Sequence, residues 1–212
     1  MNDSVAARAE AYRKNKLVND AILFAVQAHA DAFRKGTEIP YIMHPVEVAA
    51  IAAGLLTYDG VRKRLTGEPN EVIAAAVLHD TVEDTPTTKE QLIVAFGSTV
   101  ADLVALESEN KREDRPAQDT WSVRKQETID HLSQCADIRV KVIAFADKLA
   151  NLRAINRDYM ISGDRVWERF NQTDPKKHGW YYKSIFDACP ELQGTAAYRE
   201  YELLLEKNFF GL

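Results

Sequence analysis

Hydrophobic positions recur along this chain mostly three or four residues apart, the spacing of helices packed on one face. Leu17, Ile22, Leu23, Val26 and Phe33 form such a series over residues 17–33. Pro45 suits the first turn of a helix continuing through Val46, Val48, Ala49 and Ala52, because a first-turn N–H has no intrahelical partner to lose. Asn70 can cap residues 71–81, where Val72, Ala75, Ala76 and Leu78 would face inward. Thr88 and Gln91 have capping-box spacing for a short helix ending near Phe96 and Gly97. Residues 99–106, 122–135 and 137–159 each read as helical. Asp174-Pro175 reads as a cap and first-turn proline opening a helix through Trp180, Tyr181, Ile185 and Phe186, and residues 195–209 form the last helix. Few runs alternate as a half-buried strand would. The expectation is an all-α bundle of about eight to ten helices, with polar loops at 58–69 and 110–120.

Composition narrows the class. The 212 residues suit one domain with a substantial core, and 46% hydrophobic with 28% charged residues is ordinary for a soluble globular protein. Cys135 and Cys189 are too few for a disulfide framework or a thiolate zinc site, and they read as thiols in a reducing compartment. The first residues lack the apolar run of a signal peptide, and the apolar stretch at 21–30 is too short to span a bilayer. A soluble, cytoplasmic protein is expected, with no membrane partner. A net charge of −5 argues against broad nucleic-acid binding, while leaving room for a small anionic ligand in a locally basic pocket.

The candidate chemistry begins at Leu78–Thr85, LHDTVEDT. On a continuous helix Glu83 would stack one turn from His79, and Asp84 one turn from Asp80. Polar groups straight after the apolar stretch at 72–78 must be paired, solvated or bound to a metal. By itself the His-Asp pair reads equally as a solvated helix end or a satisfied core histidine. Two distant segments add weight: His44, just ahead of Pro45, and Asp147 with Asn151 on one face of the apolar segment FADKLANL. Two imidazoles and two carboxylates make a mixed nitrogen–oxygen donor set, suited to Mn²⁺, Fe²⁺ or Zn²⁺ rather than Ca²⁺ or Mg²⁺.

In order and spacing, these blocks resemble the HD hydrolases of the Rel/SpoT superfamily, above all the stand-alone small alarmone hydrolases of the metazoan SpoT-homologue type. The matching stretches are His29, Arg34-Lys35-Gly36, Pro40-Tyr41-Ile42, His44-Pro45, Val77–Thr85, Phe96-Gly97 and Ala146–Leu152. The resemblance implies a single HD-type domain over 1–212, with its motif core at about 20–160 and a helical extension at about 161–212. It implies Mn²⁺ held by His44, His79, Asp80 and Asp147, and an acidic pair, Glu83 and Asp84, handling the attacking water. Arg34, Lys35 and Asn151 would contact the nucleotide; Lys148 would join them in neutralising phosphate charge, and Arg153 reads either as a further phosphate contact or as a surface ion-pair residue. His29 reads as a packing residue or one that supports a ligand from behind, rather than a ligand itself, and His131 and His178 as surface residues.

The implied activity is removal of the 3′-pyrophosphate from guanosine 3′,5′-bis(diphosphate) or its pentaphosphate, giving GDP or GTP. A cognate alarmone synthetase would be the genetic partner. Adenosine alarmones, a ribose-phosphorylated nucleotide such as NADPH, and an inactive nucleotide-binding regulator are the alternative readings. The chain departs from the family at Leu106-Glu107-Ser108, where relatives continue toward a Val-Thr pair. Its connections at 58–69 and 110–120 look longer than usual, and each of these departures could border the nucleotide.

Overall fold

The computed structural model describes residues 2–109, 111–112 and 114–211, with side chains throughout from residue 15 onward apart from the two internal gaps. The described residues form helices and turns with no strand, in keeping with the all-α expectation. The chain runs α1 (Asn2–Ala28), α2 (Met43–Leu55), α3 (Asp59–Arg62), α4 (Pro69–Leu78), α5 (Thr81–Asp84), α6 (Lys89–Phe96) and α7 (Ser98–Glu107). It continues with α8 (Ala117–Gln134), α9 (Ile138–Ser162), α10 (Pro175–Asp187) and α11 (Ala196–Leu205). Short 3-10 turns at Gly163–Arg169 and Pro190–Leu192 join the last helices.

Two helices are buried nearly all round, as their continuous apolar runs require. Val72 and Ala74–Leu78 of α4 are enclosed, and α9 is enclosed from Ile138 through Ala150 apart from Arg139 and Lys148. Helices α1, α2, α7 and α9 pack around α4, while α10 and α11 pack on α9. The buried core runs from Ala21 to Leu205, so the C-terminal helices share it.

Local chemistry explains most of the boundaries. The Thr88 hydroxyl accepts from Gln91 N at 3.3 Å and Gln91 Oε1 accepts from Thr88 N at 2.9 Å, the expected capping box. Asp174 caps α10 by accepting from Lys176 N at 2.9 Å, with Pro175 in the first turn.

Other expectations are corrected. Helix α4 starts at Pro69 with Glu68 as its cap, not at Asn70, because proline's fixed φ favours the first helical position. The Glu68 N–H donates to Glu71 Oε2 at 3.1 Å. Of the series expected at 17–33, Leu17 and Ile22 pack against the core, but Leu23, Val26 and Phe33 are exposed, and the fully buried residues of α1 are Ala21 and Ala25. His178, expected at the surface, is buried among Trp121, Trp167 and Phe170, with Nε2 2.8 Å from Gln172 O. Part of the 58–69 connection is helical, as α3. Asn110 and Glu113, within the second expected loop, lie outside the described residues. Both cysteines are free thiols.

Candidate metal centre

The continuous helix expected through residues 71–81 is broken. α4 stops at Leu78, Asp80 takes φ −92° and ψ −5°, and α5 restarts at Thr81. Side chains satisfy carbonyls at the end of α4: His79 Nδ1 lies 2.9 Å from Ala76 O, and Thr81 Oγ1 donates to Leu78 O at 2.7 Å. A carbonyl can only accept, so His79 Nδ1 carries the hydrogen and Nε2 points into the centre.

Two helices and one helix junction deliver the remaining donors. His44 comes from the first turn of α2, Asp80 from the junction of α4 and α5, and Asp147 from the middle of α9. His44 Nε2 stands 3.0 Å from Asp147 Oδ1 and 3.6 Å from Asp80 Oδ2. His79 Nε2 stands 3.0 Å from Asp80 Oδ2 and 3.7 Å from Asp147 Oδ1. One ligand atom from each of His44, His79 and Asp147 lies within 4.8 Å of the others, and all three residues are buried.

His79 Nε2 is enclosed and receives no hydrogen bond. It faces the Asp80 and Asp147 carboxylates, an arrangement that needs positive charge between the groups, either a proton on Nε2 or a metal cation bound there in its place. Burial opposes charge on His79, but Asp80 and Asp147 outweigh it and raise its pKa well above the ordinary value. At His44 burial wins over Asp147 and the pKa falls. Burial also works against the Asp147 carboxylate, yet Lys148, His44 and His79 hold it well below the usual range. The centre thus demands positive charge, and its imidazole and carboxylate donors fit a divalent metal ion.

Around the centre is a cavity of about 200 Å³ lined by Glu83, Glu107, Glu109, Arg124, Lys125, Lys148 and the ligand residues among others. The acidic pair splits: Glu83 lines this cavity, whereas Asp84 does not. Asp84 instead accepts from Lys111 Nζ at 2.6 Å and from the Tyr41 hydroxyl at 3.2 Å. That hydroxyl also donates to Asp80 Oδ2 at 2.6 Å. Glu83 Oε2 accepts from the Glu109 N–H at 3.1 Å, and burial raises the Glu83 pKa.

Arg34 and Lys35 sit on a tight hairpin closed by Arg34 N to Ile39 O at 2.8 Å, with Gly36 at φ +72°. Arg34 Nη2 donates to Asn151 Oδ1 at 2.7 Å, and Asn151 Nδ2 donates to Asp147 Oδ1 at 2.7 Å. Lys148 pairs with Asp147 on its other oxygen. Lys35 lies outside the metal cavity, in an adjoining cleft of about 250 Å³ that also holds Phe33, Ile155, Arg169, Phe170 and Tyr182. Arg34, Tyr41 and Asn151 line both spaces.

Arg153 is not at the site. It binds Glu200 through two nitrogens, at 2.6 and 2.7 Å, and Glu47 at 3.0 Å, tying α9 to α11 and α2. Residues 58–69 line neither space. His29 is buried with its ring 4.8 Å from that of Tyr41, a packing residue as expected. Sequence reasoning missed Glu109, Arg124 and Lys125, and assigned no role to Glu107. The departure at Leu106-Glu107-Ser108 was the available signal for the first wall, and Arg124-Lys125 one turn before Thr128 was that for the second.

The HD domain family matches residues 21–170. A curated Danio rerio protein, guanosine-3′,5′-bis(diphosphate) 3′-pyrophosphohydrolase MESH1, is 38% identical over 139 residues, covering 65% of this chain and 68% of its own length. A Haemophilus influenzae protein named guanosine-3′,5′-bis(diphosphate) 3′-pyrophosphohydrolase is 37% identical over 134 residues, which make up 63% of this chain but only 18% of that larger protein. The solved structure of a metazoan SpoT ortholog that hydrolyses ppGpp superposes with TM-score 0.63 at 24% identity, covering 90% of this chain and 94% of that one, a likeness of fold. The match spans the hairpin and every donor of the metal centre; this chain belongs to the HD domain family.

Proposed function

We propose that this protein is a metal-dependent hydrolase that removes the 3′-pyrophosphate from guanosine 3′,5′-bis(diphosphate) and its pentaphosphate. The observation that carries the reading is the convergence of His44, His79, Asp80 and Asp147 beside the enclosed Glu83 carboxylate. Relatives bearing that activity in their names support the substrate. The proposed cation is Mn²⁺. A bound divalent cation polarises a phosphoryl group and lowers the pKa of water beside it.

Water adds to the inner phosphorus of the 3′-diphosphate and the bond from that phosphorus to O3′ breaks. O3′ takes a proton, leaving GDP or GTP and free pyrophosphate. Glu83 takes the proton of the attacking water; its raised pKa brings it nearer to the neutral range where such a base works. Asp84 keeps Tyr41 and Lys111 in place around that base. Arg34 and Lys148 oppose the negative charge that grows on the phosphoryl oxygens. Asn151 holds Arg34 and Asp147 in register, and Lys35 meets the nucleotide in the adjoining cleft. The reaction would run in the cytoplasm against a cognate alarmone synthetase.

The test is release of pyrophosphate from the guanosine tetraphosphate by purified protein, with Mn²⁺ and after chelation. Release only with metal is expected; none under either condition overturns the substrate. The adenosine analogue in parallel reads base preference.

A further inference from the structure

Helix α8 contributes a cationic wall to the metal cavity to which the roles above give no task. Arg124 and Lys125 are largely enclosed, with side chains 11% and 17% exposed. Both pair with one carboxylate: Lys125 Nζ is 2.6 Å from Glu109 Oε1 and Arg124 Nη1 is 3.0 Å from Glu109 Oε2. Thr128 donates to the same Oε1 at 3.1 Å, and Arg124 Nε is buried without an acceptor. Lys125 and Lys148 also converge on one ring, with Nζ 4.9 Å and 5.8 Å from the centroid of Tyr181. The three cations outnumber the Glu109 and Asp147 carboxylates that pair with them, which favours a further anion among them.

The two adjoining spaces give that anion an identity. Phe33, Ile155, Phe170 and Tyr182 supply the cleft with apolar and aromatic surface suited to a nucleoside. The metal cavity is lined by charged and polar side chains. Arg34, Tyr41 and Asn151 are common to both, whereas Arg124, Lys125, Glu107 and Glu109 line the metal cavity and not the cleft. A nucleotide lying across the shared residues therefore directs its diphosphate toward α8.

We propose that Lys125, together with Lys148, forms the subsite for the outer phosphate of the 3′-diphosphate and hence for the departing pyrophosphate, an assignment that rests on the hydrolase reading above. Glu109 is the resting partner of Lys125 and keeps Arg124 and Thr128 when the ammonium group turns to phosphate. The rival role is purely architectural: Lys125 would anchor Glu109, whose N–H holds Glu83.

Calorimetric titration of inorganic pyrophosphate at fixed free Mn²⁺, alongside kcat and KM on the guanosine tetraphosphate, separates the two. Lys125→Met is expected to weaken pyrophosphate binding about tenfold or more, the scale of one charge-assisted hydrogen bond, with GDP binding unchanged. Lys125→Arg should recover much of that loss. Glu109→Gln should slow turnover while keeping pyrophosphate affinity. If Lys125→Met binds pyrophosphate like the wild type and shares only the turnover defect of Glu109→Gln, the subsite is overturned. Wild-type protein that hydrolyses no tetraphosphate overturns the hydrolase reading instead, and the binding measurement, which needs no turnover, tells the two failures apart.

Discussion

His79 is locked to Ala76: the imidazole Nδ1 lies 2.9 Å from a backbone carbonyl three residues earlier. That contact fixes both the tautomer and the direction of Nε2, as a partner for the outer nitrogen does in metal-bound histidines generally. His79→Gln removes the inward nitrogen. The variant is expected to bind no divalent metal in metal analysis, and to show no rise in Tm on addition of Mn²⁺ where the wild type is expected to show one. Full metal content would remove His79 from the ligand set.

Glu83 and Asp84 are neighbours with different surroundings, so their variants should separate. Glu83→Gln is expected to lower kcat by about a hundredfold or more while metal content holds, the usual scale for loss of a general base. Asp84→Asn keeps Glu83 in the cavity and weakens only the contacts to Tyr41 and Lys111, so its loss of kcat should be several times smaller. Equal losses would mean that the two carboxylates act as one unit.

Glu107 supplies a pH signature. Burial pushes its pKa up from 4.5 to about 8, against the pull of Lys148. The folded protein therefore keeps a proton that the unfolded chain releases above about pH 4.5. Stability contributed at this position falls as pH rises through that window and levels off above about pH 8. Glu107→Gln abolishes the titration. In metal-free protein its Tm should match the wild type near the acid end and exceed it increasingly toward the alkaline end. A gap in Tm that does not change with pH would refute this.

Arg153 looks like a phosphate ligand in sequence but functions as a strut. Its contacts with Glu47 and Glu200 are more than a third exposed, so Arg153→Met should cost no more than about 1 kcal/mol in denaturant unfolding. KM for the nucleotide should stay within about twofold, less than the loss of a charge-assisted contact would cause. A large rise in KM would return Arg153 to the site.

What the sequence disclosed follows the range of the interactions involved. The caps at Thr88 and Asp174 and the two enclosed helices were legible because their causes lie within a few residues. His79 and Asp147 were legible as residues whose polarity conflicts with apolar neighbours, and His44 by its place just ahead of Pro45. Lys125 was not, because a lysine on a polar helix looks solvated until Glu109 and Tyr181 enclose it from elsewhere in the chain. His178 was misread for the same reason: Trp121 and Trp167 are distant in sequence. The alanine face of α1 went unrecognised because small side chains leave little hydrophobic signal, however tightly they pack.

The interruption between α4 and α5 has a mechanical meaning. Consecutive residues on an unbroken helix point about 100° apart and do not share a neighbour. His79 and Asp80 nevertheless bring Nε2 and Oδ2 to 3.0 Å, which the change of backbone direction at Asp80 permits. The backbone turn at that junction thus sets how close the two donor atoms stand. Glu109 and Lys111 hold α5 in place through Glu83 and Asp84, so the contacts that position the acidic pair also fix the junction that presents His79 and Asp80.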